Sequence, residues 1–189
     1  KKVKTKRVMF SSTSAIYGLT EKTVQREIDS PDCLNAYSYS KFFSEGLCKM
    51  YSTLYEVDTV CFRYFNVYGN GQDHKIGNAS PHHTFKQQAI NDKVIKLFNC
   101  QVHPARDFVP VEYVVDIHLK FTNIKESGIW NIGTGTATSF YSIACEMAEK
   151  YNAKIDYIPI PNVLKNSYQI YTCADTTKLQ KTLKENNFE

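Results

Sequence analysis

Residues 8–18 read VMFSSTSAIYG, and the fold turns on how they are read. A short apolar run ends abruptly in the hydroxyls of Ser11, Ser12 and Thr13. That pattern marks a buried strand whose end opens onto a polar site. A polar stretch follows, with Ser30-Pro31-Asp32 inside it, and reads as a loop. Next comes NAYSYSKFFSEG, residues 35–46. From about residue 37 to 55 apolar groups recur at Phe43, Leu47, Met50 and Leu54, the stripe of an amphipathic helix. Residues 57–65, VDTVCFRYF, form a second strand candidate. Strand, helix, strand is the unit of a parallel α/β sheet.

The rest of the chain continues the alternation. Residues 66–81 form a Gly- and Asn-rich loop of the kind that carries function. Pro81 suits the first turn of a helix running to about Asn91. VIKLF at 94–98 is a short strand, and Val114, Ile117 and Phe121 fall at helical spacing. GIWNIG at 128–133 is a strand ending in glycine. The segment from Thr138 to Asn152 opens with Ser and Thr caps and reads as a helix. KIDYIPI at 154–160 is another strand, and the tail from Thr176 reads as a last helix cut short.

Bulk properties exclude several classes. The chain has 189 residues, 42% hydrophobic and 22% charged, enough for one domain with a core. The net charge of +4 is spread along the chain, so a nucleic-acid partner is not expected. The six cysteines form no CxxC pair and several lie in apolar runs, which suits reduced residues of a cytoplasmic protein. His82 and His83 are the only neighbouring histidines, and no ligand set at metal spacing accompanies them. No apolar run approaches the ~18 residues of a membrane span, and the charged start KKVKTKR is not read as a signal peptide.

Tyr37 and Lys41 are four residues apart and share one helix face. An ammonium held beside a phenol favours the phenolate, and the helix N-terminus adds positive potential there. Such a tyrosine can take a proton from a sugar hydroxyl and return it. A hydroxyl from residues 11–13 could orient the substrate oxygen, since α/β sheets bind ligands at the C-terminal ends of their strands. The plainer reading is polar trim at a helix start.

FSSTSAIYG, AYSYSK and FRYFNVYG, in this order, resemble the extended short-chain dehydrogenase/reductases that act on nucleotide sugars, the NAD-dependent epimerase/dehydratase family. The resemblance spans essentially the whole chain. It implies an α/β fold: the C-terminal part of a Rossmann-like domain, about residues 1–70, then a small substrate-binding subdomain over 71–189. Rossmann elements return at about 107–135. It implies Thr13, Tyr37 and Lys41 as catalytic residues. Ser11, Ser12, Tyr64, Phe65 and Asn66 join Tyr37 and Lys41 around a bound NAD or NADP. The dehydratase branch carries an acidic pair just after the catalytic threonine. Ser14 and Ala15 stand there, so epimerisation is the expected reaction.

Segments after Asn66 resemble the ADP-glycero-manno-heptose 6-epimerases: the HK pair at 74–75, KLF at 96–98, RDFVPVEYVVD at 106–116 and NIGTGTATSF at 131–140. There Lys75 would be a second acid/base, and Thr13, Asn66, Lys75, Phe98, Arg106 and Tyr168 would touch substrate. UDP-hexose 4-epimerases share the first three motifs and are the alternative; a non-catalytic remnant of the fold is a further one. Each residue has a plainer role: Lys75 as a solvent lysine, Arg106 as an ion-pair partner of Asp107 or Asp116, Phe98 as core and Tyr168 as surface. Departures fall at Asn70-Gly71, at residues 76–78 and at Pro81-His82-His83. The family's glycine-rich GxxGxxG turn is not in this sequence, and the turn at 133–139 is expected to be structural. The chain therefore reads as a fragment truncated at both ends. At full length the resemblance implies a homo-oligomer.

Overall fold

The computed structural model describes residues 5–19, 24–75, 79–100, 102–162 and 168–188. Three parallel strands form the first sheet: β1 (Arg7–Thr13), β2 (Asp58–Tyr64) and β6 (Gly128–Ile132), in the order β1-β2-β6. Their register places Thr13 beside Tyr64, and Tyr64 beside Ile132, so all three strands end at one level. β1 and β2 are joined through a one-turn 3-10 helix (Ser14–Tyr17) and the twenty-residue helix α1 (Ala36–Tyr55).

β2 alternates strictly. Val60 and Phe62 face one side with Trp130 and Ile132 of β6, and there they meet Ile117 and Phe121 of α3 (Val111–Phe121) and Leu179 and Leu183 of α5 (Thr177–Glu185). Fully burying a side chain such as Phe62 stabilises the fold by roughly 1.5–3 kcal/mol. Arg63 lies on the other side, towards α1. Hence the sheet has an apolar face under α3 and α5 and a polar face under α1.

A second core holds the remainder. It joins α2 (Pro81–Asn91), β4 (Val94–Phe98), β5 (Ala105–Pro110) and α4 (Phe140–Tyr151) through Phe85, Ile95, Leu97, Phe108, Ile143 and Met147. β4 pairs in parallel with β8 (Lys154–Ile158). β5 is flanked by β3 (Asn66–Tyr68), β7 (Ala137–Ser139) and β9 (Tyr171–Thr172), of which only β7 runs antiparallel. Periodicity does not mark these short or irregular strands, β3, β5, β7 and β9. Among the described residues no helix is long and apolar enough to cross a membrane.

Two expectations are corrected. The apolar stripe of α1 does not face the sheet: Phe43 is 69% exposed and Leu54 63%. The face turned inward is polar, with Ser38 and Glu45 buried and Lys41 and Cys48 partly so. The reason is electrostatic, because the sheet beneath α1 presents Arg63 and Ser12, which need polar partners. The last helix is not cut short. α5 ends at Glu185, Asn187 takes a left-handed conformation (φ 61°), and the Phe188 N–H donates to the Leu183 carbonyl at 2.9 Å. That is a helix C-terminus with its carbonyls satisfied, and Phe188 packs back on the first core.

Candidate functional site

The site begins where β1 gives way to helix. Thr13 is the N-cap of the 3-10 helix, its hydroxyl accepting from the Ala15 N–H at 3.2 Å. Gly18 then turns the chain with φ 62°, and a Cβ there would strike Asp32. α1 starts at a capping box: the Asn35 side chain accepts from the Ser38 N–H at 2.9 Å, and the Ser38 hydroxyl lies 3.3 Å from the Asn35 N–H. This cap fixes Tyr37 in the first turn, 54% exposed and open to a ligand.

Lys41, one turn on, ties the helix to the strand. Its Nζ donates to the Ser11 carbonyl at 2.8 Å and stands 5.8 Å from the centre of the Tyr37 ring. An ammonium carries three protons, so two remain for a ligand or water. The structure therefore brings Tyr37, Lys41 and the hydroxyl segment Ser11–Thr13 to one end of the parallel sheet.

Other expected cofactor residues divide. Tyr64 bridges the Ser11 hydroxyl at 3.1 Å and His118 Nε2 at 2.7 Å, and burial pushes its phenol up. Asn66 follows at the start of β3, half-buried. Ser12 turns its hydroxyl inward, donating to Glu45 Oε1 at 2.5 Å. Phe65 is buried in the first core against Tyr17, with ring centroids 6.3 Å apart.

Of the expected substrate residues, Phe98, Arg106 and Tyr168 lie on the second core's rim. Phe98 meets Tyr168 edge-on at 6.0 Å, and the Arg106 guanidinium sits 5.5 Å from the Tyr168 ring centre and 5.6 Å from that of Phe140. Phe98 and Phe140 also line a cavity of about 270 Å³ with Ala79, Pro81, Phe85 and Leu97. Arg106 is 7% exposed and donates to the Ala105 carbonyl at 2.9 Å and to the Gln169 carbonyl. Burial pulls its guanidinium below the ordinary arginine range, with Tyr168 opposing.

No carboxylate meets Arg106 among the described residues. Asp107 spends its oxygens on the Thr134 N–H at 2.8 Å, the Thr134 hydroxyl at 2.6 Å, the Gly135 N–H at 2.9 Å and the Ala174 N–H at 3.1 Å. Asp116 pairs with Lys120 at 2.9 Å. The Gly133–Gly135 turn is thus a structural turn clasped by Asp107, and a Cβ at Gly133 would strike Ala174 and Asp107.

Lys75 stands exposed in the loop after Gln72, and no described contact joins it to Tyr37 or Lys41. Of the departures nearby, residues 76–78 lie outside the described residues. His82 turns away from the cavity and stacks on Tyr68 at 4.2 Å.

Sequence reasoning missed a buried charge pair beside the site. Glu45 and Arg63 are each 3% exposed and pair twice, Nε to Oε1 at 3.0 Å and an Nη to Oε2 at 2.7 Å. Burial works against the guanidinium's charge, but the bonds to Glu45 and the nearby Tyr17 hold it firmly protonated. A lone arginine in the apolar run 57–65 was the available signal, since such a residue needs an acid.

The sequence profile of the NAD dependent epimerase/dehydratase family matches residues 1–133. Among solved structures the fold matches the ADP-L-glycero-D-manno-heptose-6-epimerase of Helicobacter pylori with a TM-score of 0.81 and 27% identity over 96% of this chain. It matches the UDP-glucose 4-epimerase of Thermus thermophilus, solved with NAD, with a TM-score of 0.81 and 26% identity over 93% of the chain. The UDP-N-acetylglucosamine 4-epimerase of Methanobrevibacter ruminantium, at 22% identity and a TM-score of 0.86 over 94% of the chain, shares the fold. The chain spans 54%, 57% and 56% of those three structures in turn, a little over half of each.

Proposed function

Because the chain belongs to the NAD dependent epimerase/dehydratase family, we propose that it carries the catalytic part of a nucleotide-sugar epimerase. The observation that carries this reading is the Lys41–Ser11 bond at 2.8 Å, which holds lysine, exposed tyrosine and strand-end hydroxyls together. In this reading the Tyr37 phenol takes a proton from a sugar hydroxyl and later returns it. Lys41 stabilises the phenolate by its charge, and Thr13 orients the sugar oxygen. A nicotinamide cofactor, NAD or NADP, supplies the hydride acceptor and donor when bound. Tyr37, Lys41, Ser11, Tyr64 and Asn66 are the residues to hold it; the spare protons of Lys41 and the exposed side of Ser11 suit ribose hydroxyls. Ser12 and Phe65 serve as supports behind them.

The substrate belongs to the second core. A buried guanidinium with no described carboxylate partner suits a diphosphate, which it can grip by two parallel bonds. Phe98 and Tyr168 flank it as aromatic walls, and the adjoining cavity suits a nucleoside base. Residues 1–70 act as the catalytic part and 71–189 mainly as the substrate part, with α3, β6 and α5 returning to the first core. The preferred substrate is an ADP-heptose inverted at C6, with Lys75 as the opposite acid/base. That preference rests on motif similarity and on 27% identity to the heptose epimerase. The second reading is a UDP-hexose 4-epimerase, favoured by 26% identity to the UDP-glucose enzyme.

The test uses the full-length protein with NAD or NADP, incubated with ADP-D-glycero-D-manno-heptose or with UDP-glucose, and NMR to follow stereochemistry. Inversion at C6 of the heptose, lost in Tyr37→Phe, supports the first reading. Turnover of UDP-glucose alone selects the second. No turnover of either sugar overturns both.

A further inference from the structure

We infer that Ser12 and Glu45 form a lock that sets the register of α1 against β1, and so act as positioning residues for Thr13, Tyr37 and Lys41. This rests on the proposed epimerase reading of those three residues.

Tyr37, Lys41 and Glu45 follow one another at four-residue intervals along one stripe of α1. At 1.5 Å per residue, the stripe is roughly 12 Å long. It meets β1 at two successive residues. Lys41 Nζ binds the Ser11 carbonyl, and Glu45 Oε1 accepts from the Ser12 hydroxyl at 2.5 Å. The next residue is Thr13. Two attachments to β1, spaced along the helix, fix both its rotation and its slide against that strand.

The Glu45 end of the lock is anchored from below. Its carboxylate is held bidentately by Arg63, which the register places beside Ser12 on β2. Arg63 is in turn fixed under the Tyr17 ring at 4.9 Å, and the Tyr17 hydroxyl donates to Asn131 Oδ1 at 2.6 Å. Burial pushes that phenol up to about 12, so it remains a donor across the working range. Glu45 therefore cannot swing away from Ser12 without leaving Arg63 a buried, unpaired cation. The segment that carries the reacting hydroxyl and the helix that carries the phenol share one rigid set of bonds. A displacement of about 1 Å between reacting groups can cost roughly a hundredfold in rate.

The decisive variant is Ser12→Ala, which removes the hydroxyl and leaves the Glu45–Arg63 pair intact, with Ser12→Thr as the rescue. In the full-length protein with nucleotide sugar and NAD or NADP, Ser12→Ala is expected to lower kcat roughly ten- to a hundredfold. The fall in kcat exceeds any change in KM or cofactor Kd, and Ser12→Thr restores much of kcat. Amide hydrogen exchange at residues 37–41, faster in Ser12→Ala, reads the same lock without turnover. Unchanged kcat and unchanged exchange overturn the inference. So does a raised cofactor Kd with kcat intact, which would make Ser12 a cofactor contact. If the wild-type protein turns over no sugar while exchange is still faster in the variant, the lock stands and the epimerase reading fails.

Discussion

Arg106 and Asp107 are neighbours of opposite charge that do not pair. The Asp107 carboxylate is consumed by Thr134, Gly135 and Ala174. The Arg106 guanidinium lies between the Tyr168 and Phe140 rings, and its hydrogen bonds among the described residues go to carbonyls. One charge builds a turn and the other has no carboxylate partner among the described residues. A buried cation without a fixed counter-charge gains most when an anion arrives.

Arg106→Gln is therefore expected to separate binding from stability. Affinity for ADP or UDP should fall roughly ten- to a hundredfold, the worth of a lost charge-assisted bond. Unfolding stability should change by about 1–2 kcal/mol, since carbonyl bonds and the contacts with the Tyr168 and Phe140 rings are lost but no ion pair is broken. Titration calorimetry and urea unfolding check both; unchanged affinity would remove Arg106 from the site.

Glu45→Ala should behave in the opposite way. It strands Arg63 inside the protein and should cost about 3–5 kcal/mol in urea unfolding. A loss below about 1 kcal/mol would mean that water reaches the pair and that the ion pair has little structural weight.

Tyr37→Phe removes one exposed hydroxyl from the first turn of α1. The thermal midpoint should stay close to that of wild type, since exposed positions of this kind change stability little. Turnover by the full-length protein should fall roughly 10²–10⁴-fold. Retained turnover would assign proton transfer to another group.

His82 predicts a pH dependence of stability. Burial against Tyr68 and Phe108 lowers its pKa, with Glu146 opposing. The unfolded chain then binds the proton more readily than the folded one. The stability from the neutral ring is full above the unfolded value, about 6.5. It is lost as the pH falls from there through the folded value. Urea unfolding between about pH 7 and 5 should show that loss, and His82→Phe should flatten it. An equal slope in the variant would place the titration elsewhere.

Much of this molecule was legible residue by residue. Pro81 at a first helical turn and Ser139 as a cap are local choices, and α2 and α4 begin where those residues allow. The four-residue spacing of Tyr37 and Lys41 needs only a helix to bring them together. The apolar stripe of α1 misled for a physical reason. Amphipathicity says that a helix has two faces, and it says which face is buried only if the surface beneath is apolar. Here that surface carries Arg63 and Ser12.

The sequence by itself determined the alternation of strands and helices and the pairing of tyrosine with lysine, because both follow from periodicity within a few residues of chain. Only the tertiary structure decided that Glu45 meets Arg63 across 18 residues and that Arg106 reaches the Gln169 carbonyl across 63. It alone decided that Asp107 is spent on a turn. Buried charges take whichever partners folding brings within about 3 Å, and nothing in local sequence specifies that distance.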